Sequence, residues 1–148
     1  RMLLERGVSL VVPHAPEVLA ELHRNCRIGV VTCCQKMHFK TIHDASGLRP
    51  FFDFVVGDGD FERHKPYPDP YLTALGRAGI APDEAIAVED SERGVLSAVR
   101  AGIRVAAIPR GISLCGDFSA ATWRLQDIRE LPALLDSLQP RNENSQPQ

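Results

Sequence analysis

Short runs of Val and Ile alternate with longer segments of helical spacing along this chain, and this alternation constrains the fold more than any other feature. Segments 28–31 and 85–88 are apolar at nearly every position, which is typical of strands that are buried on both faces. Strands that alternate with helices form parallel sheets with helices on each side. The sequence therefore predicts an α/β fold with a three-layer, Rossmann-like parallel sheet.

The pattern places four strands and five helices. The predicted strands are 27–32, 52–56, 85–89 and 104–108, and the predicted helices are 17–24, 36–46, 70–78, 92–101 and 131–138. Asp69 before Pro70 predicts an N-cap followed by proline at the first helical position. Gly47, Gly79 and Gly102 mark helix ends. Residues 140–148 are polar without periodicity, which predicts a disordered tail.

Charge and composition exclude several classes of protein. Lys+Arg 17 against Asp+Glu 19 gives a formal net charge of −2, so we expect no nucleic-acid partner and no membrane surface. The apolar runs fall far short of the roughly 20 residues of a membrane-spanning helix. The four cysteines fit neither a disulfide framework nor paired zinc half-sites, which favours the cytoplasm. The oligomeric state is left open.

Polar residues follow three of the predicted strands. Thr32 and Cys33 follow the first, Lys65 lies in the loop after the second, and Glu89 and Asp90 end the third. Because the loops after parallel strands meet at one edge of the sheet, we expect these residues to converge. A hydroxyl and a lysine can bind phosphate oxygens, and an acidic pair can bind Mg²⁺. The sequence therefore predicts a site for a phosphoryl group and Mg²⁺.

Each of these residues alone has a simpler interpretation. Thr32 could cap the helix that follows it, and Lys65 could be a solvated surface lysine. Asp90 or Ser91 could cap helix 92–101. Only the combination at one edge points to phosphate chemistry.

Three motifs resemble the haloacid dehalogenase superfamily of phosphatases and phosphomutases, over about residues 16–138. They are Ile-Gly-Val-Val-Thr ending at Thr32, Lys-Pro-Tyr-Pro-Asp-Pro-Tyr-Leu from Lys65, and Ala-Val-Glu-Asp-Ser-Glu-Arg-Gly around Asp90. The most similar branch contains phosphoglycolate phosphatases and β-phosphoglucomutase-like proteins. The resemblance implies that Thr32 and the Cys33 backbone bind phosphate. It also implies that Lys65 is a catalytic residue holding the nucleophile and the phosphoryl charge, and that Asp90 binds Mg²⁺ with Glu89 beside it through water.

The chain departs from this family because no aspartate occurs before Asp44. Family members attack phosphorus with the first aspartate of an Asp-x-Asp motif on the first strand, which is central in the sheet order 5-4-1-2-3. The resemblance implies that this strand and nearly all of the helical cap are absent. Residues 1–16 are then the end of the cap and the return to the core, and 17–139 a partial core. We expect marginal stability and aggregation, unless residues 8–12 or a second molecule pair with the exposed strand edges.

Two internal features could imitate a nucleophile. Asp58-Gly-Asp60 is an Asp-x-Asp after a strand, but it lies between the threonine and lysine motifs and leads into Phe61, so we interpret it as a polar turn. Cys33 lies before a predicted helix, but no arginine-closed loop of amides follows it, so we interpret the cysteines as packing residues. No spacing of histidine and cysteine suits zinc.

The sequence thus predicts a Mg²⁺-dependent phosphoester hydrolase of a small phosphorylated metabolite. The activity belongs to a longer parent that uses an aspartyl-phosphate intermediate. A sugar phosphomutase of the β-phosphoglucomutase type is one alternative, and a catalytically silent remnant or interaction module is another. A phosphorelay receiver is disfavoured because its acidic cluster precedes the threonine. The substrate is left open, since selectivity in this group lies largely in the cap.

Overall fold

The computed structural model describes residues 12–139, in which parallel strands alternate with helices. The strands are β1 (Gly29–Val31), β2 (Phe54–Val56), β3 (Ile86–Glu89), β4 (Arg104–Ala107) and β5 (Trp123–Arg124). The helices are α1 (Ala15–His23), α2 (Lys36–Ser46), α3 (Asp69–Ala78), α4 (Glu92–Arg100) and α5 (Leu131–Leu138). Short 3₁₀ turns occupy Arg49–Phe51, Pro82–Glu84, Gly111–Cys115 and Ile128–Glu130. The predicted α/β class is confirmed.

Every predicted strand and helix is present, and each boundary agrees within two residues. Strand β5 was not predicted, because two residues are too few to show any periodicity. Gly47, Gly79 and Gly102 adopt φ of 71°, 66° and 83°, the left-handed conformation in which glycine ends a helix without steric cost. Residues 8–11 of the predicted pairing segment 8–12, and the predicted tail 140–148, lie outside the described residues, and Val12 itself is not in a strand.

The prediction that Asp69 caps the third helix is wrong. Helix α3 begins at Asp69 itself, and the Asp69 carboxylate accepts hydrogen bonds from the Arg63 backbone N–H at 3.2 Å and from Arg63 Nη2 at 3.0 Å. The guanidinium offers a charged, bidentate partner, so it outcompetes the neutral N–H groups of the helix. Asp69 therefore fixes the preceding loop rather than the helix end.

The parallel ladder is interrupted. Strand β1 pairs with β2 in the register Gly29↔Phe54 to Val31↔Val56, and β3 pairs with β4, which pairs with β5. Within residues 12–139, β1 and β3 form no ladder with each other, so the sheet is in two parts, β1-β2 and β3-β4-β5. The interruption lies where the central strand of the resembled family would be.

Helices cover both faces of the larger part. Val105 and Ala107 of β4 pack with α3 and α4, whereas Ala106 between them packs with Val18 of α1 and Leu131 of α5. Consecutive strand residues point to opposite faces, so these contacts define three layers. The predicted three-layer architecture is confirmed.

Two helices connect the two parts of the sheet. On one face, α1 packs on β4 through Val18, and its last residue His23 lies edge-on to the Phe51 ring, with centroids 6.2 Å apart. On the other face, α3 packs on β1 and β2 and also against α4. In the described part of the chain, helix packing rather than backbone hydrogen bonds therefore joins the two parts of the sheet.

We expect the isolated chain to unfold below about 45 °C and to self-associate, because the facing edges of β1 and β3 find no strand partner among residues 12–139 for their backbone N–H and C=O groups. Circular dichroism during heating and sedimentation velocity between low and high micromolar concentrations measure both properties. A monomer at all concentrations with a cooperative melting transition above about 65 °C would contradict the expectation.

Candidate functional site

Lys65 lies at the carboxyl edge of the sheet, between its two parts. Its Nζ donates to the carbonyl of Val31 at 3.2 Å, where β1 ends, and to Oε1 of Glu89, where β3 ends. Because β1 and β3 do not pair within the described residues, this one ammonium joins the carboxyl ends of two separate ladders. The Lys65 side chain is 15% exposed, so the ion pair with Glu89 is largely shielded from water.

Glu89 is buried, and one of its two carboxylate oxygens carries its hydrogen bonds. Its Oε1 accepts a hydrogen bond from the hydroxyl of Tyr71 at 2.5 Å in addition to the one from Lys65. Its other side is closed by Gly94, where a side-chain Cβ would overlap the carboxylate. A buried carboxylate is costly unless it is paired and hydrogen-bonded, and both partners are present here.

Tyr71 is a site residue that the sequence reasoning missed. It stands in the first turn of α3 and is 7% exposed, with its ring in the main core. Burial and, second, the charge of Glu89 raise the pKa of Tyr71 well above its ordinary value, so the hydroxyl stays protonated and donates. The sequence held one indication of this role, because a tyrosine in a buried helix face needs a hydrogen-bond partner for its hydroxyl.

Thr32 and Cys33 continue β1 into the loop before α2. The Thr32 N–H donates to the carbonyl of Val56 at 2.9 Å, and Thr32 Oγ1 accepts from the N–H of Cys34 at 3.1 Å. Thr32 Oγ1 donates no hydrogen bond to any acceptor among residues 12–139. In the same part of the chain, the N–H of exposed Cys33 has no hydrogen-bond partner. Both groups are donors available to an anion at this edge.

Asp90 and Ser91 follow Glu89, and each fits one of two roles, helix capping or cation binding. Ser91 caps α4, because its side chain accepts from the N–H of Gly94 at 3.1 Å. Asp90 is exposed, and no hydrogen bond to its carboxylate occurs within the described segment. The simpler capping interpretation therefore applies to Ser91, and the Asp90 carboxylate is available to a cation.

The acidic pair fits Mg²⁺ in part. Carboxylate oxygens are the ligands that Mg²⁺ prefers, and one or two of them suffice when water and phosphate complete the octahedron. Asp90 meets this requirement, whereas Glu89 is bound to Lys65 and Tyr71. Between residues 12 and 139 no cluster of three or more His, Cys, Asp or Glu side chains is placed to hold a metal ion. Among the described residues, Asp90 is thus the carboxylate of the acidic pair that is open to a cation.

Asp60 has a structural role in the Asp58-Gly-Asp60 turn. Its carboxylate is 8% exposed and accepts from the Gly57 N–H at 2.9 Å, from Lys36 Nζ at 2.5 Å and from Arg77 Nη2 at 2.8 Å. These contacts, led by the Gly57 N–H, hold the pKa of Asp60 well below its usual range. The Asp60 N–H also donates to the Gly57 carbonyl at 3.0 Å, so these hydrogen bonds close a turn, which agrees with the interpretation of Asp58-Gly-Asp60 as a turn.

The interpretation of the cysteines as packing residues is wrong for Cys33 and Cys115, which are exposed, whereas Cys26 and Cys34 are half-buried. Cys26, Cys33, Cys34 and Cys115 are all free thiols. No helix of residues 12–139 has the length and apolar character needed to cross a bilayer.

Comparisons with known proteins place the chain in a family. Residues 6–108 match the family model described as haloacid dehalogenase-like hydrolase. Protein CbbY of Rhodobacter capsulatus is 33% identical over 105 residues, which are 69% of this chain and 46% of that protein. Phosphoglycolate phosphatase of Escherichia coli (strain K12) is 32% identical over 99 residues, covering 66% of this chain and 39% of that protein. The chain thus spans less than half the length of these curated relatives.

The chain is also similar in fold to solved structures. CbbY from Rhodobacter sphaeroides in complex with phosphate superposes with a TM-score of 0.75 at 29% identity, over 80% of this chain and 55% of that one. A HAD phosphatase from Thermococcus onnurineus superposes with a TM-score of 0.78 at 29% identity, over 90% of this chain and 63% of that one.

We expect Gly94→Ala to lower the free energy of unfolding by about 2 kcal/mol or more, because the added methyl displaces the buried Glu89 carboxylate from Lys65 and Tyr71. Urea unfolding measures the change. Gly76→Ala in α3 is the matched control, since nothing lies within 4 Å of a Cβ there. It should raise the free energy of unfolding by about 0.5–1 kcal/mol. Equal effects of the two substitutions would contradict the packing of Glu89 against Gly94.

Asp60→Asn should destabilise the chain by about 2 kcal/mol at pH 7, because it removes a charge that Lys36 and Arg77 neutralise. The folded-state pKa of Asp60 lies below the unfolded value of about 3.9. The ionised Asp60 carboxylate therefore stabilises the folded chain fully above the unfolded pKa, and this stabilisation is lost as the pH falls further. Urea unfolding at a series of pH values should show the difference from the parent chain shrinking below about pH 4. Exposed Asp136→Asn is the control, and a pH-independent difference for Asp60→Asn would rule out the charge as its cause.

Proposed function

This chain belongs to the haloacid dehalogenase-like hydrolase family, and from that membership we propose that it forms the phosphate- and Mg²⁺-binding half of a phosphoester hydrolase. The observation that carries the proposal is the position of Lys65, whose ammonium lies between the ends of β1 and β3. Donors from Thr32 and Cys33 adjoin one end, and the acidic pair adjoins the other. A lysine between donors and carboxylates suits a phosphoryl group that is bound together with a divalent cation.

Phosphate binding is assigned to Thr32, Cys33 and Lys65. The Thr32 hydroxyl and the Cys33 N–H are free to donate to phosphate oxygens. Lys65 adds the positive charge that stabilises a phosphoryl group as negative charge moves to the leaving oxygen. The Glu89 carboxylate and the Val31 carbonyl fix where that ammonium lies, so it needs no reorganisation when the substrate arrives.

Mg²⁺ binding is assigned to Asp90 directly and to Glu89 through water. Bound Mg²⁺ would neutralise the phosphoryl oxygens and orient them. The Asp90 side chain suits direct contact because it is exposed at the end of β3. Glu89 is buried behind it and hydrogen-bonded to Lys65 and Tyr71, which leaves it an outer, water-mediated role.

The nucleophile is assigned to an aspartate that this sequence does not contain, since its first aspartate is Asp44. A strand between β1 and β3 would complete the ladder and end beside Lys65. An aspartate at that end would attack phosphorus and form an aspartyl-phosphate, which water then hydrolyses. The segment that carries it belongs to the parent protein in our proposal.

The substrate class is a small phosphorylated metabolite. CbbY from Rhodobacter sphaeroides has been crystallised with phosphate and, as a mutant, with xylulose-(1,5)bisphosphate, and the Escherichia coli relative is a phosphoglycolate phosphatase. We propose a cytoplasmic location because all four thiols are free. The net charge of −2 supports the absence of a nucleic-acid partner. The phosphomutase alternative stays a prediction.

A second candidate is a catalytically silent binding module. The interrupted ladder between β1 and β3 and the lack of an early aspartate favour it for the chain acting alone. In that case the phosphate-binding donors remain, but no phosphoester bond is cleaved.

We expect Mg²⁺-dependent hydrolysis of p-nitrophenyl phosphate only when the chain is extended at its amino end by a first strand with Asp-x-Asp and a cap taken from a relative. In that extended protein, Lys65→Met should lower the rate at least about 100-fold, because one preorganised charge is lost. Lys40→Met is the control, since Lys40 is exposed and pairs only with Asp44 among the described residues.

Asp90→Asn should abolish the response to Mg²⁺, whereas the exposed Asp136→Asn should leave it unchanged. Activity of the unextended chain that is lost in Asp58→Asn or Cys33→Ala would contradict an external nucleophile. An extended protein without any activity would favour the silent module.

A further inference from the structure

Three consecutive carbonyls of the loop that carries Lys65 are hydrogen-bonded by side chains. Pro66 and Pro68 lack an N–H, so few local donors are available to the carbonyls of residues 65–67. Backbone carbonyls near a protein core need partners from elsewhere in the fold. In this chain all three carbonyls receive theirs from side chains of a single helix.

That helix is α4, and the three side chains form what we call the α4 clamp: Arg93, Ser97 and Arg100. Arg93 donates to the Lys65 carbonyl from Nη2 at 2.6 Å and from Nε at 3.2 Å. Ser97 Oγ donates to the Tyr67 carbonyl at 2.6 Å, and Arg100 Nη1 donates to the Pro66 carbonyl at 2.9 Å. Residues spaced by four and three positions lie on one helix face, so the clamp follows directly from the helical repeat.

Ser97 is the buried member of the clamp. It is 0% exposed, and a buried hydroxyl requires a partner, which the Tyr67 carbonyl provides. Arg93 and Arg100 are exposed, so each of their hydrogen bonds contributes less on its own. Together the three place four hydrogen bonds on three consecutive peptide groups.

Helix α4 is also the helix that follows the acidic pair. Ser91 caps it directly after Asp90, and its Gly94 lies against the Glu89 carboxylate. One rigid element therefore contacts both the acidic end of β3 and the backbone of the lysine loop. The separation between Lys65 and the acidic pair is fixed by α4 from both sides.

We propose that Arg93, Ser97 and Arg100 are positioning residues that fix the ammonium of Lys65 between Val31 and Glu89. A lysine side chain has four rotatable methylenes, and an unanchored backbone would let its head group leave a narrow site. The consequence for phosphate binding rests on the proposed function, whereas the effect on Lys65 itself does not.

The test is the side-chain order parameter at the Lys65 Cε, obtained from ¹³C relaxation on the 148-residue chain and assigned by its loss in Lys65→Arg. Arg93→Met combined with Arg100→Met, and separately Ser97→Ala, should lower the order parameter to below about 0.6. Arg93→Lys with Arg100→Lys should restore most of it, because a lysine still donates to the carbonyls.

Arg27→Met is the matched control, because the exposed Arg27 donates from Nη1 to the carbonyl of Ala78 at 2.8 Å, away from the loop. A merely structural role would lower the melting temperature alike in the clamp variants and the control without a selective change at Lys65. An unchanged Lys65 order parameter in both the Arg93→Met/Arg100→Met and the Ser97→Ala variants would overturn the proposal.

Calorimetric titration with inorganic phosphate and MgCl₂ separates this proposal from the proposed function. If the site binds phosphate, Ser97→Ala should raise Kd about fivefold, the equivalent of one hydrogen bond. A chain that binds no phosphate yet loses order at Lys65 in the clamp variants would overturn the proposed function and support the positioning role.

Discussion

The candidate site depends on how one ammonium group is held where a sheet is interrupted. Lys65 donates to the end of β1 and to Glu89 at the end of β3, two strands that share no backbone ladder within the described residues. In an uninterrupted sheet the backbone itself would fix the distance between these ends. Here a side chain and its partners do so, which couples the packing of the protein to the charge arrangement of the candidate site.

The surrounding structure supports that contact from three directions. Tyr71 donates to Glu89 from within the core, Gly94 leaves the space that the carboxylate occupies, and α4 binds the backbone of the lysine loop. Helices α1 and α3 keep the two parts of the sheet together on opposite faces. The hydrogen-bonded group of Lys65, Glu89 and Tyr71 is therefore largely buried. Asp90 and Cys33 beside it are exposed and accessible to a ligand.

The sequence predicted the architecture well because strand and helix periodicities are local and strong here. It predicted that Thr32, Lys65 and the acidic pair share an edge because parallel topology brings all such loops together. It missed Tyr71 and the α4 clamp, since both depend on which carbonyl or carboxylate a distant side chain reaches after folding. It misjudged Asp69 for the same reason, because Arg63 competes for the carboxylate only in the folded loop. Strand β5 is visible only through its pairing with β4.

The most direct test of this account is to titrate inorganic phosphate into the ¹⁵N-labelled chain with Mg²⁺ present and follow every backbone amide by NMR. A phosphate bound at the carboxyl edge predicts the largest, saturable shift at the N–H of Cys33, with further shifts at Cys34 and Asp90, and their loss in Lys65→Met. Shifts confined to the turn at Asp58 and Asp60, or no shift at Cys33 at saturating phosphate, would contradict the claim that Lys65 organises a phosphate site.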